Sequence, residues 1–195
     1  MVNWIFKNSA LILEIIAVIL GVIYVFLAAK NKVTCWIFGI LGSLLSIALF
    51  IMYAKLYAEA VLYLFYVFAG IYGWINWNNQ KNEAEVYQRK PIIHFIIIGV
   101  GIIFSLGLYY ILISFFNGAK RPMIDSFTTI FSFIATYLTT KKWIENWIYW
   151  IVIDAVSTYL YFSRGLEIYA LLMLAYSFIA VYGYLQWRKL NVIKL

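Results

Sequence analysis

The sequence predicts an all-α polytopic membrane protein with seven transmembrane helices in a 3+1+3 parallel-repeat arrangement. Three observations carry this: an apolar composition, seven apolar runs joined by short basic connections, and a set of landmarks that recurs in the second half of the chain.

Hydrophobic residues make up 66% of the 195 and charged residues only 12%, whereas soluble proteins carry about 25% charged residues. Mean hydropathy is +0.90, so lipid is the solvent this composition expects. The net charge of +7 sits in short caps between apolar runs, the pattern of an orientation signal rather than of a nucleic-acid surface. Cys35, the one cysteine, can form neither an internal disulfide nor a thiolate metal site by itself and is read as a buried or interfacial thiol. No cleavable signal peptide is expected, because no small-residue cleavage site follows the first apolar run.

A spanning helix needs about 20 mostly apolar residues. Seven runs approach this: 11–29, 37–54, 60–77, 92–115, 124–140, 143–162 and 166–187. They leave room for one transmembrane domain, 1–195, and no soluble one. The one long polar stretch, Asn78 to Glu83, is the expected linker, and Pro91 and Pro122 lie outside the long runs. One side of the membrane receives ten basic residues: Lys30, Lys32, Lys81, Arg89, Lys90, Lys141, Lys142, Arg188, Lys189 and Lys194. The other receives five: Lys7, Lys55, Lys120, Arg121 and Arg164. The positive-inside rule then places the N-terminus outside and the C-terminus in the cytoplasm.

Tyr72–Gly73–Trp74–Ile75–Asn76–Trp77 recurs as Tyr182–Gly183–Tyr184–Leu185–Gln186–Trp187, a shift of 110 (182 − 72). At a shift of 111 (141 − 30), Lys30 falls on Lys141, Trp36 on Trp147, Ser46 on Ser157, Glu14 on Asp125 and Ser43 on Asp154. The first three-helix repeat is therefore 11–77, the second 124–187, and 92–115 is a linking helix. Each repeat has an odd number of helices, so the linking helix restores the direction of the second copy. Transporters with such parallel repeats hold their solute near the midplane at the repeat interface.

Helical spacing groups the side chains that could hold a solute. Tyr63, Tyr66, Gly70, Trp74 and Trp77 share one stripe, and Met173, Tyr176, Ala180, Tyr184 and Trp187 form its counterpart. Trp147, Trp150, Asp154, Ser157 and Tyr161 share a face, as do Asp125, Thr128, Ser132, Thr136 and Thr139. Asp154 is the sharpest signal, since a mid-span carboxylate costs about 2.5–3.5 kcal/mol on insertion scales and such residues face cavities; the alternative is a structural partner for a neighbouring hydroxyl. Stacked aromatics beside a carboxylate suit a flat cationic or hydrogen-bonding solute, while interfacial belts account for some of the same rings, Trp36, Trp77, Trp147 and Trp187 among them. Glu14 and Asp125 form a candidate gating or structural acidic pair, with a helix N-cap or dipole role the alternative for Asp125. Gly39, Gly42, Ser43 and Ser46 read as close-packing residues, and His94 as an interfacial histidine. No phosphate-binding loop, metalloprotease helix or nucleophile elbow is present, so no ATP hydrolysis, cofactor, metal or catalytic residue is expected.

With these motifs assembled, the chain resembles the PnuC family of bacterial vitamin-precursor transporters, which have a SWEET-like fold. The carrying segments are Leu56–Tyr57–Ala58–Glu59, Tyr72 to Trp77, Asp125–Ser126–Phe127–Thr128–Thr129, Glu145 to Trp150 and Ser163–Arg164–Gly165–Leu166. The resemblance implies facilitated diffusion of nicotinamide riboside, held between aromatic side chains, through a homotrimer in the bacterial inner membrane. It also implies a cytoplasmic kinase that traps the imported solute. Trp74 and Trp77 match the family's WxxW pattern, whereas the second repeat offers Tyr184 and Trp187; thiamine and riboflavin remain alternative substrates. The candidate substrate-binding set from these stripes and landmarks comprises Tyr63, Tyr66, Trp36, Trp74, Trp77, Trp147, Asp154, Ser157, Tyr176, Tyr184 and Trp187. The rival from another class is a non-transporting membrane scaffold, and the rival within transport is a sugar carrier.

Overall fold

The computed structural model describes residues 2–54, 57–80, 84–115, 121–163, 165 and 167–195, and the side chains among them from residue 9 onward except 54–59. Lys55, Lys81, Lys120 and Arg164 of the charge count, with Leu56 and Leu166 of the quoted motifs, lie outside the described residues, as do the side chains of Lys7 and Tyr57–Glu59. Seven α-helices run through the described chain: α1 (Val2–Ala29), α2 (Cys35–Ala48), α3 (Tyr57–Asn78), α4 (Pro91–Phe115), α5 (Pro122–Thr140), α6 (Asn146–Phe162) and α7 (Glu167–Trp187). α2 continues into a π-helical turn, Leu49–Ala54. Two short strands, β1 (Glu85–Gln88) and β2 (Asn191–Lys194), complete the set.

Five of these are long and apolar enough to cross a membrane: α1, α2 with its π-helical extension, α3, α4 and α7. α5 and α6 fall short of that measure, for different reasons. α6 has 17 residues, because Trp143, Ile144 and Glu145 are drawn into a turn instead of a first helical turn. α5 is long enough but polar, with Asp125, two serines and five threonines in its 19 residues. Its hydroxyls close on its own backbone: Thr128 Oγ1 donates to Ile124 O at 3.0 Å, Thr136 Oγ1 to Ser132 O at 2.7 Å and Thr139 Oγ1 to Ala135 O at 2.9 Å. A serine or threonine can satisfy itself this way anywhere in a helix, so this stripe is less available to a solute than its composition suggests.

The chain forms two compact units, residues 1–83 and 84–195. In the first, α2 packs against both α1 and α3. Its small residues set the distance to α1: a Cβ on Gly42 would lie 3.3 Å from Leu20 Cβ and 3.5 Å from Ala17 O. Gly39, one turn earlier, faces the ring of Tyr24, so these residues serve packing, as their spacing predicts. Cys35 is buried and in no disulfide among the described residues.

The second unit repeats the order, with α6 packed on α5 and α7, and adds α4 against α5. Gly101 makes that last approach possible, since a Cβ there would stand 2.8 Å from Phe131 Cζ. Pro91 and Pro122 each open a helix, where a missing N–H costs nothing. The turns before α2 and α6 each contain a left-handed residue, Asn31 (φ 55°) and Lys142 (φ 52°), at matching repeat positions (142 − 31 = 111). Burial is inverted relative to a soluble protein. Asn146, Lys142 and Ser126 are fully buried, whereas Phe95, Ile103, Phe104 and Phe178 are more than 60% exposed, the distribution lipid selects.

The polar linker is not unstructured. Its β1 pairs in parallel with β2 in the register Glu85↔Asn191 to Gln88↔Lys194. On its other edge Tyr87 N–H donates to Lys142 O at 2.8 Å and Ile144 N–H to Tyr87 O at 2.9 Å. Val86, fully buried, anchors this small sheet across the ends of α4, α5, α6 and α7.

Candidate functional site: a tryptophan box in each unit and a buried carboxylate

In the first unit Trp36, on the first turn of α2, lies flat over Gly73 of α3. A Cβ on Gly73 would come within 2.4 Å of Trp36 Cε2. The edge of Trp36 meets Trp77, with ring centroids 5.4 Å apart and planes at 84°. In the second unit Trp147 of α6 lies over Gly183 of α7, where a Cβ would come within 2.7 Å of Cε2. Its edge meets Trp187 at 5.4 Å and 88°. The same indole–glycine–indole arrangement is thus built twice from residues that the sequence shift pairs. All four rings are buried, so these tryptophans are packing elements and not only belt residues. Sequence reasoning singled out the tryptophans but missed the glycines beneath them; the repetition of both at nearly one shift carries that signal.

Trp36 Nε1 and Trp147 Nε1 are buried without a hydrogen-bond partner among the described residues. An indole N–H normally finds a partner when buried, so each box holds an unused donor. Tyr24 packs on Trp36 at 5.5 Å. Tyr63 bridges Phe50 of the π-helical turn (5.4 Å) and Tyr66 (5.6 Å), and such turns inside helices often mark functional sites. Trp74 departs from its stripe. It is 38% exposed, because its neighbour Trp77 takes the inward place beside Trp36. Tyr176 and Tyr184 are half-buried, and Tyr184 lines a cavity with Glu145 and Arg188.

Asp154 occupies the middle of α6 and is 5% exposed. Thr158 Oγ1 donates to its backbone carbonyl at 2.7 Å, but no hydrogen bond or ion pair among the described residues reaches its carboxylate. The expected structural alternative, a hydroxyl partner on a neighbouring helix, is therefore not what the geometry shows. Ser157, on the same face, is buried too. The matching positions of α2 are Ser43 and Ser46, also buried, with Ser46 Oγ donating to Gly42 O at 3.0 Å. One repeat thus carries a carboxylate where the other carries a hydroxyl.

The acidic pair is placed less sharply. Glu14 and Asp125 are each half-buried. Asp125 lies in the first turn of α5, whose N-cap is Arg121, so a dipole role fits it and an N-cap role does not. His94 is held by Tyr149 Oη at 3.1 Å from Nδ1 and by Glu145 Oε1 at 3.6 Å from Nε2.

Helices long and apolar enough to cross a bilayer, five of them among the described residues, define a multi-pass membrane protein. Residues 11–189 match the family described as nicotinamide mononucleotide transporter. Among relatives, the nicotinamide riboside transporter PnuC of Escherichia coli (strain K12) is 28% identical, covering 90% of this chain and 84% of its own length. PnuC of Neisseria mucosa is 25% identical over 90% of this chain and 71% of its own. The riboflavin/roseoflavin transporter RibM of Streptomyces davaonensis is 20% identical, over 89% and 83%. The crystal structure of the vitamin B3 transporter PnuC matches with a TM-score of 0.71 at 23% identity, covering 96% of this chain and 85% of that one, a likeness of fold. The chain belongs to the nicotinamide mononucleotide transporter family and, by that membership, is a transporter and not an enzyme.

Proposed function

We propose that this protein carries nicotinamide riboside across the bacterial inner membrane by facilitated diffusion, with Asp154 facing the cationic pyridinium ring. The observation that carries the reading is the Asp154 carboxylate: 5% exposed, mid-helix, and reached by no donor among the described residues. A buried carboxylate left in that condition is costly, and a cationic cargo offsets the cost when it binds. The same feature weighs against riboflavin, whose ring is neutral, and does not separate nicotinamide riboside from thiamine. Tyr63, Tyr66 and Trp74 in the first unit and Tyr176 in the second are the aromatic side chains we assign to the cargo, with the unused indole N–H groups of Trp36 and Trp147 as further donors.

The duplicated tryptophan box and the matched left-handed turns support a 3+1+3 arrangement in which α5 and α6 also cross the membrane, and the distribution of basic residues supports a cytoplasmic C-terminus. A homotrimer and a trapping kinase rest on the family resemblance. The test is a binding titration of the purified protein with nicotinamide riboside, thiamine and riboflavin. Nicotinamide riboside is expected to bind tightest, and Asp154→Asn to weaken it about tenfold or more, the scale of a hydrogen bond to a charged group. Unchanged affinity in Asp154→Asn assigns the carboxylate to structure; preference for riboflavin overturns the cationic cargo.

A further inference from the structure

We propose that a cavity beside the β1–β2 sheet binds the phosphoethanolamine headgroup of a membrane lipid. The cavity measures about 420 Å³ and is lined by Gln88, Glu145, Ile148, Tyr184, Arg188 and Lys194 among others. Its polar groups are of two signs. Arg188 and Lys194 are exposed and give the cavity two cations suited to a phosphate. Glu145, 9% exposed, supplies the opposite charge.

The state of that carboxylate defines the second half of the ligand. Its Oε1 is occupied, accepting the Arg89 N–H at 3.0 Å and lying 3.6 Å from His94 Nε2. Its Oε2 is buried with no hydrogen-bond partner among the described residues. A ligand toward which the Glu145 carboxylate turns therefore carries an anion for the two cations and a donor for Oε2. A simple phosphate lacks the donor. A cationic cargo lacks the anion and meets two like charges. A phosphate ester with an ammonium arm has both.

Its setting identifies the source as lipid. The cavity lies where α7 ends at Trp187 and Arg188–Lys189 begin, and basic pockets at helix ends take lipid headgroups. From Ile148, an exposed strip runs along α6 through Val152, Ala155 and Tyr159, spaced to lie on one helix face. That strip continues the cavity with a surface on which acyl chains can lie.

The test is native mass spectrometry of the full chain from membranes holding equal phosphatidylethanolamine and phosphatidylglycerol. The protein is expected to retain phosphatidylethanolamine about tenfold over phosphatidylglycerol, the scale of one charge-assisted hydrogen bond. Glu145→Gln, which keeps an acceptor for Arg89, brings the ratio to near parity while lipid is still bound. Arg188→Gln with Lys194→Gln, two exposed positions that leave the core intact, loses both lipids. No preference in the unaltered protein, or full lipid retention by the double variant, overturns the site. Displacement by glycerophosphoethanolamine at equal concentration overturns the lipid source in favour of a soluble phosphate ester. None of these outcomes depends on which cargo is carried.

Discussion

Substituting Gly73 by alanine tests the tryptophan box directly. The new Cβ would stand 2.4 Å from two atoms of the Trp36 ring, Cε2 and Cζ2, where carbon atoms normally rest about 3.5–4.0 Å apart. Relief needs a movement of roughly 1 Å or more. The ring has nowhere to go: it is 1% exposed and is held by Tyr24 at 5.5 Å and Trp77 at 5.4 Å. Overpacking of this kind costs about 1–3 kcal/mol, against about 0.5–1 kcal/mol gained by removing a helical glycine. Gly99 and Gly107 in α4 have nothing within 4 Å of a built Cβ, so alanine there takes the propensity gain without the clash. Thermal unfolding in detergent should therefore separate Gly73→Ala from Gly99→Ala by about 1–3 kcal/mol, at roughly 2–4 °C per kcal/mol for a chain of this size. Adding Trp36→Leu should restore part of the loss, giving a coupling that a double-mutant cycle reads. Equal unfolding temperatures for Gly73→Ala and Gly99→Ala, or strict additivity with Trp36→Leu, would refute the packing argument.

Gly183→Ala should be destabilising too but milder, since its Cβ would stand 2.7 Å from Trp147 Cε2; the order of the two unfolding temperatures checks this. Thr128→Val should leave cargo affinity within about twofold, because its hydroxyl is bonded to the α5 backbone at Ile124 O and Asp125 O; a tenfold loss in the binding titration would return that hydroxyl to the cargo site. Deleting residues 191–195 removes β2 and uncovers Val86. Hydrogen exchange at Glu85–Gln88 should then rise by at least an order of magnitude, as expected when local opening becomes easy, with α1–α3 unaffected.

The seven helices were legible because their apolar runs are a local signal, and most bounds fell within a few residues of those runs, although α1 begins at Val2 and not at 11. Lys30 and Lys141, Trp36 and Trp147, Tyr72–Gly73 and Tyr182–Gly183 recur at nearly one shift. Three things were not legible. β1 and β2 are four residues each and lie about a hundred positions apart, and strands that short carry no periodicity to read. The start of α6 moved from 143 to Asn146 because a tertiary bridge between Tyr87 and Trp143 outweighs the local helical pattern. The α5 stripe looked like cavity lining because composition cannot show whether a threonine hydroxyl turns outward or back onto its own helix. At the candidate site the residue types of Asp154 and the tryptophans were readable, but the missing donor at Asp154 and the glycine seats under Trp36 and Trp147 exist only in three dimensions.

The paired boxes also make the molecule its own reference standard. A substitution at Gly73 or Trp77 can be repeated at Gly183 or Trp187 within the same chain. Detergent, expression level and lipid composition are then common to both measurements, and what differs is the local clearance, 2.4 Å against 2.7 Å. A difference between the two copies therefore reports on the sequence around each box and not on the conditions of the experiment.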